Sequence, residues 1–267
     1  MSESRGRGGT WLAALTDNAA PVAGYPASVS VVDFVLADRP CRYIAVLPDE
    51  SNPYPRARTG EVGLIEGWAL AKAVHEAIDT DRARQKRTIV AVVDVSSQAY
   101  GRREEAFGIH AALAGAAGAY AEARQAGHAV IALIVGKAMS GAFLAHGYQA
   151  NRIIALNDPG VMVHAMGKAA AARVTMRSVE DLERLAADVA PMAYDIGSFA
   201  TLGLLWRLLD VGSADQPSNE DVSSVRRTLT AALDDIRGDP TVDLRSRLGG
   251  PNRQASSLVR EKLLAQW

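Results

Sequence analysis

The stretch HAVIALIVGKAMSG, residues 128–141, decides the fold. Its first eight residues are almost continuously apolar and β-branched, the pattern of a strand buried on both faces of a parallel sheet. Gly136, Lys137, Ala138, Met139, Ser140 and Gly141 then read as a small-residue turn entering a short helix over 142–148. Just upstream, TIVAVVDV (88–95) is a second buried strand. An alanine-rich helix over 107–125 joins the two and stops at Gly127, a plausible left-handed terminus. Strand–helix–strand alternation predicts right-handed crossovers and a helix-covered parallel sheet, an α/β fold.

Working outward, 28–36 and 43–47 read as strands separated by Asp38, Arg39 and Pro40, which is turn chemistry. Residues 50–60 read as an exposed loop. A helix follows over 63–78, with Leu64, Trp68, Ala71 and His75 on one face. Short strands are expected at 152–156 and 161–164 around the turn 157–160, and helices at 179–189, 199–208, 219–236 and 254–266. The Ser-, Pro- and Asp-containing segment 212–220 is the best linker. The expected organisation is a flexible N-terminal segment (1–27), a main domain (28–211) and a C-terminal helical extension (212–267).

Composition narrows the function classes. The 267 residues carry a net charge of −1 and are 48% hydrophobic, which gives no electrostatic case for nucleic acid or an anionic membrane as partner. No apolar run has the length of a membrane span, and residues 1–10 have no apolar core of a signal peptide behind them. Cys41 is the only cysteine, so neither an internal disulfide nor a multi-cysteine zinc site can form. The expectation is a cytoplasmic protein without a metal.

Two backbone turns are the candidates for chemistry. The first ends at Met139, Ser140 and Gly141; the second is His164, Ala165, Met166 and Gly167, after the strand 161–163. If the two strands lie side by side, one amide from each turn could hold a single oxygen, forming an oxyanion hole. Glycine-rich strand-to-helix turns are common, so this signal alone is weak.

A resemblance sharpens it. Residues 136–150 resemble the G-E-G-G-S-G-G-A-L-A segment of acyl-CoA carboxyltransferase alpha subunits, and 162–167 fall where their second oxyanion turn lies. Residues 93–105 resemble their D-T-P-G-A-Y-P-G…E-E stretch. Ser97 and Gln98 stand in place of the Pro-Gly, and Lys137 and Met139 in place of Glu and Gly. With those departures, the string DVSSQAYGRREEAFGIH (94–110) and the tail through Trp206, the chain resembles the gamma subunits of biotin-independent malonate decarboxylases over 29–209.

That resemblance implies a crotonase-like (ClpP/crotonase) ββα superhelix, a carboxyltransferase-type domain with a helical C-terminal extension. It implies a lyase that works with a homologous beta subunit, as a heterodimer or a heterotetramer. The substrate would be a malonyl thioester, decarboxylated to an acetyl thioester and CO₂ through a stabilised enolate. No cofactor would be bound directly. The acyl group would ride on the phosphopantetheine-like (phosphoribosyl-dephospho-CoA) arm of an acyl carrier protein, loaded by an alpha subunit that acts as acyl-carrier-protein transferase. Amides near Met139, Ser140 and Gly141, with those of Ala165, Met166 and Gly167, would contact the oxyanion. Ser97, Gln98, Tyr100, Gly101, Lys137 and Ala138 would line the thioester pocket.

Plainer readings stand beside these. His164 is a candidate proton donor or relay and equally a core histidine fixing a strand end. Tyr100 is equally a packing residue with its hydroxyl in water. Arg102, Arg103, Glu104 and Glu105 read as a solvated helix start, and His75 and His110 as structural. A rival enzyme class comes from residues 136–140, which also resemble the G-x-A-x-S turn of Clp-type serine peptidases; Ser140 and His164 would then be nucleophile and base. The remaining alternatives are a biotin-dependent acyl-CoA carboxyltransferase subunit, and a non-enzymatic half whose partner holds the chemistry.

Overall fold

A computed structural model describes residues 6–239, 241 and 243–267. Its sheet begins with an antiparallel hairpin, β1 (Val29–Leu36) and β2 (Arg39–Val46). Ala37 and Asp38 take left-handed backbones, φ 50° and 58°, the requirement of a two-residue type I′ hairpin turn. The turn therefore sits earlier than expected, and Arg39 and Pro40 are strand residues. Proline is tolerated there because β2 pairs with the next strand only from Cys41 onward.

From β2 the sheet is parallel: β3 (Thr88–Val95), β4 (Val130–Met139), β5 (Arg152–Leu156), β6 (Met162–His164) and β7 (Arg207–Leu209). The order is β1-β2-β3-β4-β5-β7, with β6 paired to the far end of β4. Every side chain of 89–93 and 130–135 is fully buried, as their unbroken apolar character predicts. The expected helix over 199–208 is a correction. A short helix ends at Ala200, and 207–209 form β7 beside β5. An apolar run this short reads equally as helix or strand.

Helices cover the sheet. Helix α1 is Gly6–Leu15, α2 is Leu64–Thr80, α3 is Arg102–Ala106 and α4 is Ile109–Gln125. They are followed by α5 (Ser140–Ala145), α6 (Lys168–Thr175), α7 (Val179–Asp188), α8 (Ile196–Ala200), α9 (Asn219–Gly238) and α10 (Gln254–Gln266). Gly127 is left-handed, φ 88°, as the stop after α4 requires. Helix α2 falls where expected, and of its expected face Leu64 and Ala71 are buried; Leu70, Ala73, Val74 and Ala77 complete the buried side, while Trp68 and His75 point outward. The alanine-rich α4 lets α2 approach closely: a Cβ on Gly67 would lie 2.8 Å from the Ala112 carbonyl carbon and oxygen.

The segment expected to be flexible includes α1, whose Trp11, Leu12 and Leu15 are buried in the main core. The Trp11 indole donates to the Ala214 carbonyl at 2.8 Å, tying α1 to the segment read as a linker. Helix α9 contributes Val225, Leu229, Ala232 and Leu233 to the same core, whereas α10 buries nothing. No helix among the described residues is long and apolar enough to cross a membrane.

Candidate active site

The site forms where β4 changes partner. Residues 131–134 pair with β5, and 137–139 pair with β6, so that Met139 lies beside His164. Between these blocks β4 bulges against β3: Val93 faces Ile134, but Val95 faces Ala138. Asp94 fills the irregularity. Its Oδ1 accepts from the Lys137 amide at 3.0 Å and its Oδ2 from the Gly8 amide at 3.3 Å. A Cβ on Gly136 would sit 2.1 Å from Asp94 Oδ1, which explains the glycine. The turn expected over 136–141 is thus strand as far as Met139, because β6 offers the bulged segment a new ladder.

The change of direction falls on Ser140 alone, whose φ is +56°. A left-handed non-glycine residue carries about 1–2 kcal/mol of steric strain. It makes a sharp elbow between the end of β4 and the start of α5. The Ser140 hydroxyl donates to the Ala165 carbonyl at 2.8 Å, so the two expected turns are joined. The Gly141 amide donates to Gln98 Oε1 at 2.7 Å.

The second turn is braced from below. The His164 ring stacks on Tyr194, centroids 3.8 Å apart and planes 12° from parallel. Tyr194 Oη donates to the Met166 carbonyl at 2.9 Å, and Lys168 Nζ lies 5.5 Å over the Tyr194 ring. His164 Nδ1 lies 3.0 Å from the Met166 carbonyl oxygen and 3.2 Å from the Met166 nitrogen. Burial pulls the His164 pKa below its ordinary range, which favours the neutral imidazole. A Cβ on Gly167 would meet nothing within 4 Å, so this end of the turn is open. Behind it lies a cavity of about 440 Å³ bordered by Met162, Lys168, Leu182 and Tyr194.

The loop after β3 supplies the third side. Residue 98 bridges to Val62, and the Ala99 amide donates to the Val62 carbonyl at 2.9 Å. The Ser97 hydroxyl donates to the Gln98 carbonyl, while the half-exposed Tyr100 donates to Glu105 at 2.8 Å. Gly101 is buried at the start of α3, where a Cβ would strike Glu104. Lys137 is exposed and borders a different cavity, about 400 Å³, with Arg7, Asp94 and Ser96. Ala138 is fully buried and packs in the main core.

Residues 98, 140, 141, 165 and 166 are therefore brought together. The sequence reading missed two supports, Asp94 and Tyr194. Asp94 stood in the quoted β3 motif without a role; Tyr194 lies in a segment without periodic pattern. His75 is exposed beside Glu122, and Arg103 lies 5.0 Å over the Tyr54 ring. The peptidase arrangement is not what this geometry offers. Ser140 donates to a carbonyl and His164 Nδ1 faces Met166, and no hydrogen bond joins the two side chains among the described residues.

Comparisons with known proteins agree with this architecture. A family model described as malonate decarboxylase gamma subunit matches residues 57–267. The chain is 31% identical over 241 residues to the malonyl-S-ACP:biotin-protein carboxyltransferase MADD of Malonomonas rubra, spanning 86% of this chain and 79% of that protein. It is 64% identical to a chain of a Pseudomonas malonate decarboxylase hetero-tetramer in complex with coenzyme A, with TM-score 0.94 over 98% of this chain and 99% of that one. It is 61% identical to a chain of the Pseudomonas MdcD–MdcE hetero-dimer, TM-score 0.90, with the same coverage of both chains. The transcarboxylase 12S core is 19% identical with TM-score 0.64 over 87% of this chain and 40% of that one, so the fold is the carboxyltransferase-type, crotonase-like one.

Proposed function

This chain belongs to the malonate decarboxylase gamma subunit family, and we propose that within such a decarboxylase its two joined turns hold the thioester oxygen of the malonyl group while CO₂ departs. The observation carrying this reading is the Ser140 elbow. It sets the Gly141 amide at the start of α5, and the Ser140–Ala165 hydrogen bond fixes the spacing of the two turns.

The step balances without a nucleophile. The bond from the methylene carbon to the carboxylate breaks. Its electron pair moves onto that carbon and, as an enolate, onto the thioester oxygen, and a proton then adds to carbon. Preorganised main-chain donors serve this best, since they face charge that develops only in the transition state and cost no reorganisation. A neutral His164, with Nδ1 engaged by Met166, is placed to fix the turn. The proton that adds to carbon comes from His164, from the facing subunit or from water.

A homologous beta subunit closes the pocket. Supporting this, exposed apolar side chains stand on the elements around the site: Tyr100 after β3, Phe107 after α3, Leu144 on α5 and Met176 after α6. The Pseudomonas MdcD–MdcE hetero-dimer supplies the precedent for such a partner. The acyl group arrives on the prosthetic arm of an acyl carrier protein loaded by a transferase alpha subunit, and the complex works in the cytoplasm.

The MADD relative favours a second reading, carboxyl transfer from a malonyl thioester to a biotin protein. Both reactions pass through the same enolate and differ in the fate of CO₂. Co-expression with the beta subunit, followed by assay of CO₂ release from malonyl carrier protein with and without avidin, separates them. Release that avidin does not inhibit is expected. Release that requires a biotin protein gives the assignment to carboxyl transfer, and no turnover in the assembled complex rejects both.

A further inference from the structure

The Gly141 amide assigned to the enolate oxygen is already occupied. Gln98 Oε1 accepts its hydrogen at 2.7 Å, as an incoming carbonyl oxygen would have to. The fit is close: a Cβ on Gly141 would lie 2.3 Å from that oxygen and 3.4 Å from Leu113 Cδ1. The backbone of Gln98 is anchored on both sides, by the bridge to Val62, by the Tyr100 amide on the Gln98 carbonyl at 2.8 Å, and by the Ser97 hydroxyl on the same carbonyl at 3.0 Å. Only the half-buried side chain is free to move, and leaving the amide requires rotation about its own χ angles alone.

We propose that Gln98 is a specificity-determining residue: its carboxamide oxygen is an internal occupant of the Gly141 amide, which the substrate's thioester oxygen must displace. This rests on the reading of that amide as an enolate contact. An amide oxygen is a neutral acceptor, so it satisfies a donor that would otherwise face a partly apolar wall, yet it yields to an acceptor that gains negative charge during reaction. The empty enzyme keeps its donor preorganised. A weakly bound acyl group whose oxygen cannot reach the amide finds it taken, and only a ligand with enough binding energy elsewhere opens the site. The competent fraction of the free enzyme then scales the apparent affinity.

Substitutions at Gln98 give opposite signs. In the assembled complex with the beta subunit, Gln98→Ala removes the competitor. The KM for malonyl carrier protein falls roughly three- to tenfold, the range of one net neutral hydrogen bond. Gln98→Glu puts a charged, stronger acceptor in the same place and raises KM more than about tenfold. Gln98→Asn, one methylene too short to reach, behaves like Gln98→Ala and serves as the check should alanine disturb the loop.

Hydrogen exchange at the Gly141 amide provides an independent readout that needs no turnover. Protection is present in the wild-type complex, lost in Gln98→Ala and Gln98→Asn, and restored in both by the acetyl thioester of the carrier protein. Unchanged exchange in the two variants, or a raised KM in Gln98→Ala, overturns the role of Gln98. Protection that is lost as expected but not restored by the thioester overturns the assignment of this amide to the substrate oxygen, and with it the competition.

Discussion

Ser140 carries two opposed terms. Its left-handed backbone costs about 1–2 kcal/mol, and its hydroxyl bond to the Ala165 carbonyl returns about 1 kcal/mol. Ser140→Ala keeps the strain and loses the bond, whereas Ser140→Gly loses both. Chemical denaturation of the two variants should therefore place Ser140→Gly about 1 kcal/mol above Ser140→Ala. The reverse order would mean that the elbow is unstrained. His146 makes a second prediction at this scale. It is fully buried, with Nε2–H on the Val92 carbonyl at 3.1 Å and Nδ1 within 3.0 Å of the Tyr120 hydroxyl. Burial lowers its pKa to about 4, so the folded state refuses a proton that the unfolded chain takes near its ordinary value of about 6.5. The unfolded state thus binds more protons between these values, and stability falls as pH drops through that window, by about 1.5 kcal/mol between pH 6.5 and pH 5. Urea midpoints across that range check it. His128 and His164, also lowered by burial, add to the slope in the same direction, and His146→Gln should flatten it.

Helices α2 and α4 show what element-scale reading can recover. Alanine-rich composition pointed to close packing, and Gly67 against Ala112 is that contact. Gly67→Ala should destabilise by about 1–3 kcal/mol through overpacking. Gly118→Ala, in the same α4 but with nothing within 4 Å of its Cβ, should stabilise by about 0.5–1 kcal/mol. Thermal melts of the pair test whether the helix interface is as tight as described. The buried strands β3 and β4 were legible because a strand covered on both faces must be apolar throughout. The extension of β4 to Met139 was not, since Gly136 and Lys137 carry no strand pattern and the pairing depends on Asp94 and on a distant β6. The outward side of α2 was misread for a related reason: Trp68 is apolar but faces out, and periodicity cannot tell a core face from a contact face. Helix α6 was missed altogether, its alanines offering no apolar contrast.

At the scale of the whole molecule, α1 and α9 meet one core. Trp11 is fully buried and α9 adds Val225 and Leu229 to the same core, although residues 1–27 were expected to be flexible. Trp11→Ala should cost about 3–5 kcal/mol, whereas deleting the exposed Trp267 should leave the melting temperature unchanged. The family, the fold and the pair of turns were readable from the sequence because the motif residues are contiguous. The contacts that organise the site were not, because Gln98, Tyr194 and Asp94 act across 43, 28 and 43 residues of chain. The central claim is that a main-chain N–H at residue 141 does chemistry that no side chain here supplies. Its most direct test is CO₂ release from malonyl carrier protein by the assembled complex carrying Gly141→Pro or Gly141→Ala. Both crowd Gln98, but only proline removes the N–H. The account predicts that Gly141→Ala retains activity within about tenfold while Gly141→Pro, still assembled, loses about 10²–10³-fold in kcat. Equal activity of the two would contradict it.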